Sequence, residues 1–476
     1  MSKLIFEGKS LTIINRNQDG KYAVGDSIDP FRDLGYIKPS FTKTSVGTPD
    51  ATIKDVARRN STMAFAINAG KIYEIKNQVF NITDYSGTFA VGSTPGYVPT
   101  GLGNGASLVF YPNADNMYYI GKDKLGKTVF TDPTCSMVDD YLTLSGASAF
   151  SASTDFRPHA IWNGFLMIGD GRYLVKFVDP FGGGGFGTFT MQYFDIGVAF
   201  TIVSLFTYSG YLGMVVKPIS GDYQSEIILI DGSSATAAVK RFTVDEKVTV
   251  AKNFGNSLVF FTEDIAGKCW IKQMGSDGLD NENAIEIRLE NASTGALESF
   301  SAPTRYSEVD VYDNKVAFAA GSYVFVLGNS ILSKPFKPTG TTITAVKLAD
   351  NGNLYVASYT GTTYYFEVFS TGNSTAVLKY PYHDFGQNVR INYLKYFFKP
   401  LVSGDALTAG LEKNYGTSVS LGMGANNISY TKDGVITSKR FDLKEICHSV
   451  RPILSWVTGG ASLSYVECDY SEVDDI

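Results

Sequence analysis

Histidine, tryptophan and cysteine are scarce in this 476-residue sequence, which has three His, three Trp and four Cys. His159, His383 and His448 stand far apart, and no His-x-Glu, His-Glu-x-x-His or Gly-x-Ser-x-Gly pattern occurs. Zinc-hydrolase and α/β-hydrolase chemistry therefore lack their residues. Cys135, Cys269, Cys447 and Cys468 fall at no metal-binding spacing and are too few for a disulfide scaffold in so long a chain, so they read as small buried apolar side chains. Cys447 and Cys468 are the one pair that two C-terminal strands could bring face to face. No apolar run approaches the ~18 residues of a membrane span, and charges at Lys3, Glu7 and Lys9 break what would be a signal-peptide core. No membrane span is expected, and the protein should be made in a cytosol. Positive charge is not in excess either: 41 Lys and Arg against 47 Asp and Glu give −6, which provides no broad surface for gripping nucleic acid. Sustained helical periodicity is missing as well, so helix content should be low.

Glycine, tyrosine and phenylalanine are plentiful, at 48, 29 and 32. Glycine supplies the positive φ of tight turns and aromatics suit a pleated, half-buried surface, so short strands joined by turns are favoured. One unit recurs among them. Val316-Ala-Phe-Ala-Ala320, Gly-Ser and Tyr323-Val-Phe-Val-Leu327 share their form with Leu354-Tyr-Val-Ala-Ser358, Tyr-Thr-Gly-Thr and Thr363-Tyr-Tyr-Phe-Glu-Val-Phe369: apolar strand, glycine turn, aromatic strand. Further copies start at Met63, Leu108, Phe165, Leu212 and Leu258, making seven units at spacings of roughly 38 to 58 residues, which brackets the blade length of β-propellers. Such a unit cannot bury its own apolar face and must stack on copies of itself. The expected fold is all-β: a seven-bladed β-propeller with irregular blades over 46–378, followed by a C-terminal antiparallel β-sandwich over 379–476.

Residues 1–45 are polar and turn-rich, and read as an N-terminal arm whose apolar anchors, Leu11, Ile13, Phe31, Tyr36 and Ile37, are suited to assembly contacts with a partner or a neighbouring subunit. Because an open ring of blades leaves two exposed edges, a strand near 48–55 is expected to pair with the last blade near 354–369. The glycine-rich run 181–187 lacks a following helix or Lys-Ser/Thr and reads as a loop, not a phosphate cradle. Pro452 has no N–H, so a strand should start there and bury Leu454 and Trp456 against Ile391, Leu394 and Phe397.

A propeller glycosidase would need paired carboxylates on the axis. Asp139, Asp140, Asp170 with Arg172, and Glu263 with Asp264 sit in turns where solvated carboxylates are ordinary, and the Ser-x-Asp-x-Gly-x-x-Trp turns of sialidases are absent. WD and kelch signatures are absent too. No catalytic residue, cofactor site or metal site is assigned, and the chain is expected not to be an enzyme.

The opening Ile28-Asp-Pro-Phe-Arg-Asp-Leu-Gly-Tyr-Ile-Lys-Pro-Ser40, followed by irregular aromatic blades, resembles propeller-built tail proteins of tailed bacteriophages. Ile391-Asn-Tyr-Leu-Lys-Tyr-Phe-Phe-Lys-Pro-Leu401, Ile436-Thr-Ser-Lys-Arg-Phe-Asp-Leu443 and Leu454-Ser-Trp-Val-Thr-Gly-Gly460 are similar to a strand set of tailed-phage virion proteins. The nearest functional model is the tail nozzle (tail tubular) family. That resemblance implies a structural protein of the virion tail, made in the host bacterial cytoplasm. It implies a homo-hexameric ring that attaches to the phage adapter or other tail proteins and continues the channel for DNA retention and ejection. Genomic DNA would pass without sequence-specific binding, and a mildly acidic chain suits such a conduit, since each phosphate-neutralising Lys or Arg adds affinity that would slow passage. A glycan- or virion-binding adaptor module and a propeller glycosidase are the competing readings.

Overall fold

The structure, a computed structural model, describes residues 2–473 apart from 7–9, 12–20, 30–35, 81–106, 144–149, 151–156, 179–187, 275–278, 291–295, 422–426, 430–435 and shorter stretches of one to four residues. Seven four-stranded antiparallel sheets follow one another along the chain. Blade 1 spans 55–80, blade 2 107–143, blade 3 159–195, blade 4 200–244, blade 5 247–286 and blade 6 309–336, and blade 7 combines 342–371 with Thr42–Gly47. Each is a meander from an inner strand outward. Inner strands lie side by side from blade 3 through blade 7 and between blades 1 and 2, and blade 7 adjoins blade 1 to close the ring.

Stacking accounts for the sequence pattern. Phe165–Asp170 and Lys315–Ala320 are each buried at five successive residues, because neighbouring blades cover both faces of a second strand, and such a strand reads as an unbroken apolar run. The outer strand Lys240–Val244 alternates instead, with Phe242 and Val244 in and the rest out. The core accordingly lies between blades: Phe206 meets Phe260 at 5.5 Å across blades 4 and 5, Phe261 meets Phe318 at 4.9 Å across 5 and 6, and Phe336 meets Phe369 at 4.2 Å across 6 and 7. Six of the seven repeat starts mark second strands, whereas Leu108 lies on the inner strand of blade 2. Asp313 and Asn314 both hold positive φ (48° and 56°), as the two-residue turn opening blade 6 requires. The connection after blade 5 carries an extra hairpin, Arg288–Glu290 with Leu297–Ser299.

Ring closure occurs through the N-terminal segment, but with a different strand from the one expected. Thr42–Gly47 pairs with Thr363–Thr371 as the outer strand of blade 7, while Asp55–Arg58 is the inner strand of blade 1. The 45/46 boundary therefore falls inside a strand. Residues before it do not stand apart either. Ser2–Phe6 pairs with Leu463–Glu472 and Val24–Asp26 with Ala376–Lys379, adding two strands to the C-terminal sheet.

That sheet has nine strands, organised by two long ones, His383–Phe398 and Ser438–Thr458. The first part of Ser438–Thr458 pairs with His383–Phe398, and the second part is flanked by Ala376–Lys379 and Ala406–Lys413. Its buried apolar and small positions are Phe441, Leu443, Cys447 and Ser449, then Val450, Pro452, Leu454 and Trp456, with Arg451 buried between them on its Glu412 partner, so the inward phase flips at 449–450. A period-two strand can present opposite faces to one core only through such a slip. Pro452 thus lies within the strand and does not begin it. His383–Phe398 flips likewise at a bulge beside Asn392, which turns Tyr396 inward and leaves Phe397 stacked on Tyr465 at 4.3 Å. Tyr396, not Phe397, is the core partner: its hydroxyl proton is shared between the Gly410 and Ile453 carbonyls at 2.9 and 3.0 Å, on Ala406–Lys413 and on the second part of Ser438–Thr458. Leu454 and Trp456 share this core with Ile391 and Leu394, as expected.

Candidate functional site

Inner strands contribute single polar residues to the propeller axis, and at one place these converge on a cavity of about 430 Å³ lined from six blades. Asp55 comes from blade 1, His159 from blade 3, Lys252 from blade 5, Asp310 from blade 6 and Lys347 from blade 7; Tyr306 precedes blade 6.

Both carboxylates are committed to joining blades. Asp55 accepts the Val56 N–H at 2.8 Å and, across the blade boundary, the Leu108 N–H at 2.9 Å. Asp310 accepts the Leu348 N–H at 2.9 Å and the Lys347 ammonium at 2.7 Å, both from blade 7. Arg58 donates to the Leu348 carbonyl between blades 1 and 7. Ser204 makes the equivalent link from blade 4 to 5, accepting the Ala251 N–H at 3.1 Å and donating to its carbonyl at 3.0 Å. These staples satisfy backbone groups that the inner strands leave unpaired.

Burial dominates the electrostatics here. It pushes the Asp55 carboxyl up to about 6, with Leu108 N–H, Lys347 and Lys252 opposing. Burial, aided by the Lys252 charge, pulls His159 down to about 3, so the ring is neutral near pH 7. Its Nδ1 lies 3.3 Å from the Arg157 carbonyl, which makes Nδ1 the protonated nitrogen. Lys252 is held well below the ordinary lysine value, by burial first and then by the Lys347 charge, against Asp310 and Asp55. Its ammonium lies over the Tyr306 ring, and His159 meets that ring edge-on at 5.3 Å. The set can neutralise and hydrogen-bond a small polar guest.

Asp170, Glu263 and Asp264, also singled out from the sequence, do not line this cavity. Asp170 pairs with Arg157 inside blade 3. Asp264 accepts the Ala266 and Lys268 N–H groups and the Trp270 indole N–H, and Glu263 lies 3.6 Å from Lys247. The side chains of Asp139 and Asp140, and the run 181–187, lie outside the described residues. His383 and His448 flank Asp384 on the C-terminal sheet, where both add to holding that carboxyl low after its bonds from the Gly386 N–H and the Tyr415 hydroxyl. Cys269, Cys447 and Cys468 are buried and free. Among the described residues no three His, Cys, Asp or Glu group as metal ligands, and no helix is long and apolar enough to cross a membrane.

Of the assembly anchors, Ile37 is fully buried within its own chain and exchanges two 2.9 Å backbone hydrogen bonds with Leu463. Tyr36 is half-buried with the Lys399 ammonium over its ring at 4.4 Å. Leu11 lies in a two-residue strand paired in parallel with Lys21–Tyr22, and Ile13 and Phe31 lie outside the described residues.

The channel residues other than His159 escape sequence reasoning because each is one polar position in a different blade. The only local signal is an aspartate within an inner strand, Asp55-Val-Ala-Arg and Asp310-Val-Tyr.

No protein-family model and no curated protein matches the chain. Among solved structures it is similar to the WD40 β-propeller domain of Doa1, at 12% identity and TM-score 0.41 over 70% of this chain and 97% of that one. It is also similar to the β-propeller domain of Myceliophteria thermophila Cps50 (Swd1), at 8% identity and TM-score 0.45 over 69% and 100%. BBS1N, in a complex with ARL6DN, matches at 8% identity and TM-score 0.41 over 70% and 97%. Likenesses this distant say nothing of function, and the propeller assignment rests on the strand pairing of this chain.

Proposed function

We propose that this chain is a non-catalytic structural subunit of a tailed-phage tail, assembling as a homo-oligomeric, nozzle-like ring with the adapter or other tail proteins. The motifs around 28–40 and 391–460 motivate the reading. The observation that carries it is how the N-terminal segment binds the fold together: Ser2–Phe6 and Val24–Asp26 extend the C-terminal sheet, Thr42–Gly47 completes blade 7, and Ile28 lies buried beside Ser333 of blade 6. Propeller and sheet are thereby tied by one continuous stretch of chain, which suits a part that transmits load. In this reading DNA travels along the axis of the ring, outside the propellers. Each propeller axis carries charged side chains around about 430 Å³, far too little for a duplex whose major groove alone is about 12 Å wide.

Light scattering of the purified protein gives the first test, with negative-stain microscopy as the second. A closed multimer with a central hole is expected, formed alone or on an adapter ring. A protein that stays monomeric at every concentration and does not join adapter rings overturns the proposal.

A further inference from the structure

We propose that the cavity on the propeller axis is a binding site for a small oxyanion, a carboxylate or phosphate group held by Lys252 with Lys347 beside it. Charge is the first reason. Three cations line the cavity, Arg58, Lys252 and Lys347, against two carboxylates, Asp55 and Asp310, and each carboxylate is already engaged by two donors. Asp310 takes Lys347, and Arg58 is engaged by the Leu348 carbonyl and the Tyr312 ring, which leaves Lys252 as the cation that no oxygen of the described residues engages.

Its surroundings are the second reason. Lys347 is neutralised by Asp310 at 2.7 Å and Arg58 caps the Leu348 carbonyl. The Lys252 side chain makes no ion pair or hydrogen bond among the described residues; its ammonium lies over the Tyr306 ring, and Asp310 and Asp55 act on it only through their more distant charges. A ring face attracts a cation but satisfies none of its three N–H donors. An ammonium in a water-accessible cavity, repelled by a second ammonium and facing no free carboxylate, is relieved by an incoming anion. The volume, about 430 Å³, lies in the range of small-molecule pockets, so the guest can carry a body beyond its anionic head. Phe110 and Tyr306 supply apolar wall for it. This inference stands independently of the tail assignment.

Isothermal titration calorimetry in a low-chloride buffer, with inorganic phosphate in one arm and acetate in the other, tests it and separates the two head groups. Wild type should bind at least one anion saturably at one site per chain. Lys252→Met should weaken that binding at least tenfold, and Lys252→Arg should retain it within a few-fold. Absence of saturable binding of both anions by wild type, or undiminished binding by Lys252→Met, overturns the proposal. Should Lys252→Met fail to fold, crystals of the wild type soaked in selenate decide. Anomalous signal beside Lys252 Nζ supports the site, and signal only elsewhere or none overturns it.

Discussion

Ser333, buried on the outer strand of blade 6, donates its hydroxyl to the carbonyl of Ile28 at 2.6 Å, joining residues 305 positions apart. Ile28 and, nine residues on, Ile37 are both fully buried. These two positions of the N-terminal segment are thus packed within their own chain. Deleting residues 2–40 should therefore destabilise the protein by at least about 3–6 kcal/mol, the worth of two buried isoleucines at ~1.5–3 kcal/mol each. Urea denaturation measures this, and an unchanged midpoint would show that the segment adds nothing to the fold.

Asp310→Ala should cost about 3 kcal/mol, since it strands the Lys347 ammonium and leaves the Leu348 N–H without its acceptor. Replacing Lys347 by Met in the same chain should recover at least half of that loss, because the uncompensated charge is gone. A double-mutant cycle read by thermal unfolding checks the coupling; strictly additive losses would mean the pair is not energetically linked.

The axis also sets a pH dependence of stability with opposing parts. His159, lowered from 6.5 to about 3, contributes stability that is complete above the unfolded value and is lost as pH falls from about 6.5 toward 3. Asp55, raised from 3.8 to about 6, works the other way: stability falls as pH rises from about 4 through 6. Glu308, raised by burial from 4.5 to about 7 against the Thr304 N–H, has the same sign as Asp55 between those values. His159→Gln removes the first contribution. Relative to wild type, its stability at pH 5 compared with pH 7.5 should improve by about 2 kcal/mol. Parallel denaturation curves for the two proteins at both pH values would rule out a neutral buried His159.

Trp456 is buried, and its indole N–H donates to the Ala461 carbonyl at 2.8 Å. Trp456→Ala should cost about 3–5 kcal/mol. Phe397→Ala, at a half-buried ring lying on Tyr465, should cost clearly less. Equal losses in chemical denaturation would contradict the inward phase seen after Asn392.

Much of the propeller was legible because each blade restates the same pattern. Second strands such as Phe165–Asp170 are covered on both faces and so appear as apolar runs, and glycine and Asp-Asn turns punctuate them. Leu108 was placed one strand out of phase because in blade 2 the inner strand, Ser-Leu-Val-Phe-Tyr, is as apolar as a second strand. The phase slips at Asn392 and 449–450 were not legible: a bulge changes which face is inward without changing the residues on either side.

From the chain alone follow the class of fold and the number of blades, since those depend on local periodicity and on turn residues a few positions apart. Only the tertiary structure decided where Thr42–Gly47, Ile28 and Ile37 go, and that Asp55, His159, Lys252, Asp310 and Lys347 meet at one cavity. Those relationships join residues tens to hundreds of positions apart, on strands whose own patterns are complete without them, and closing the ring is what brings them together.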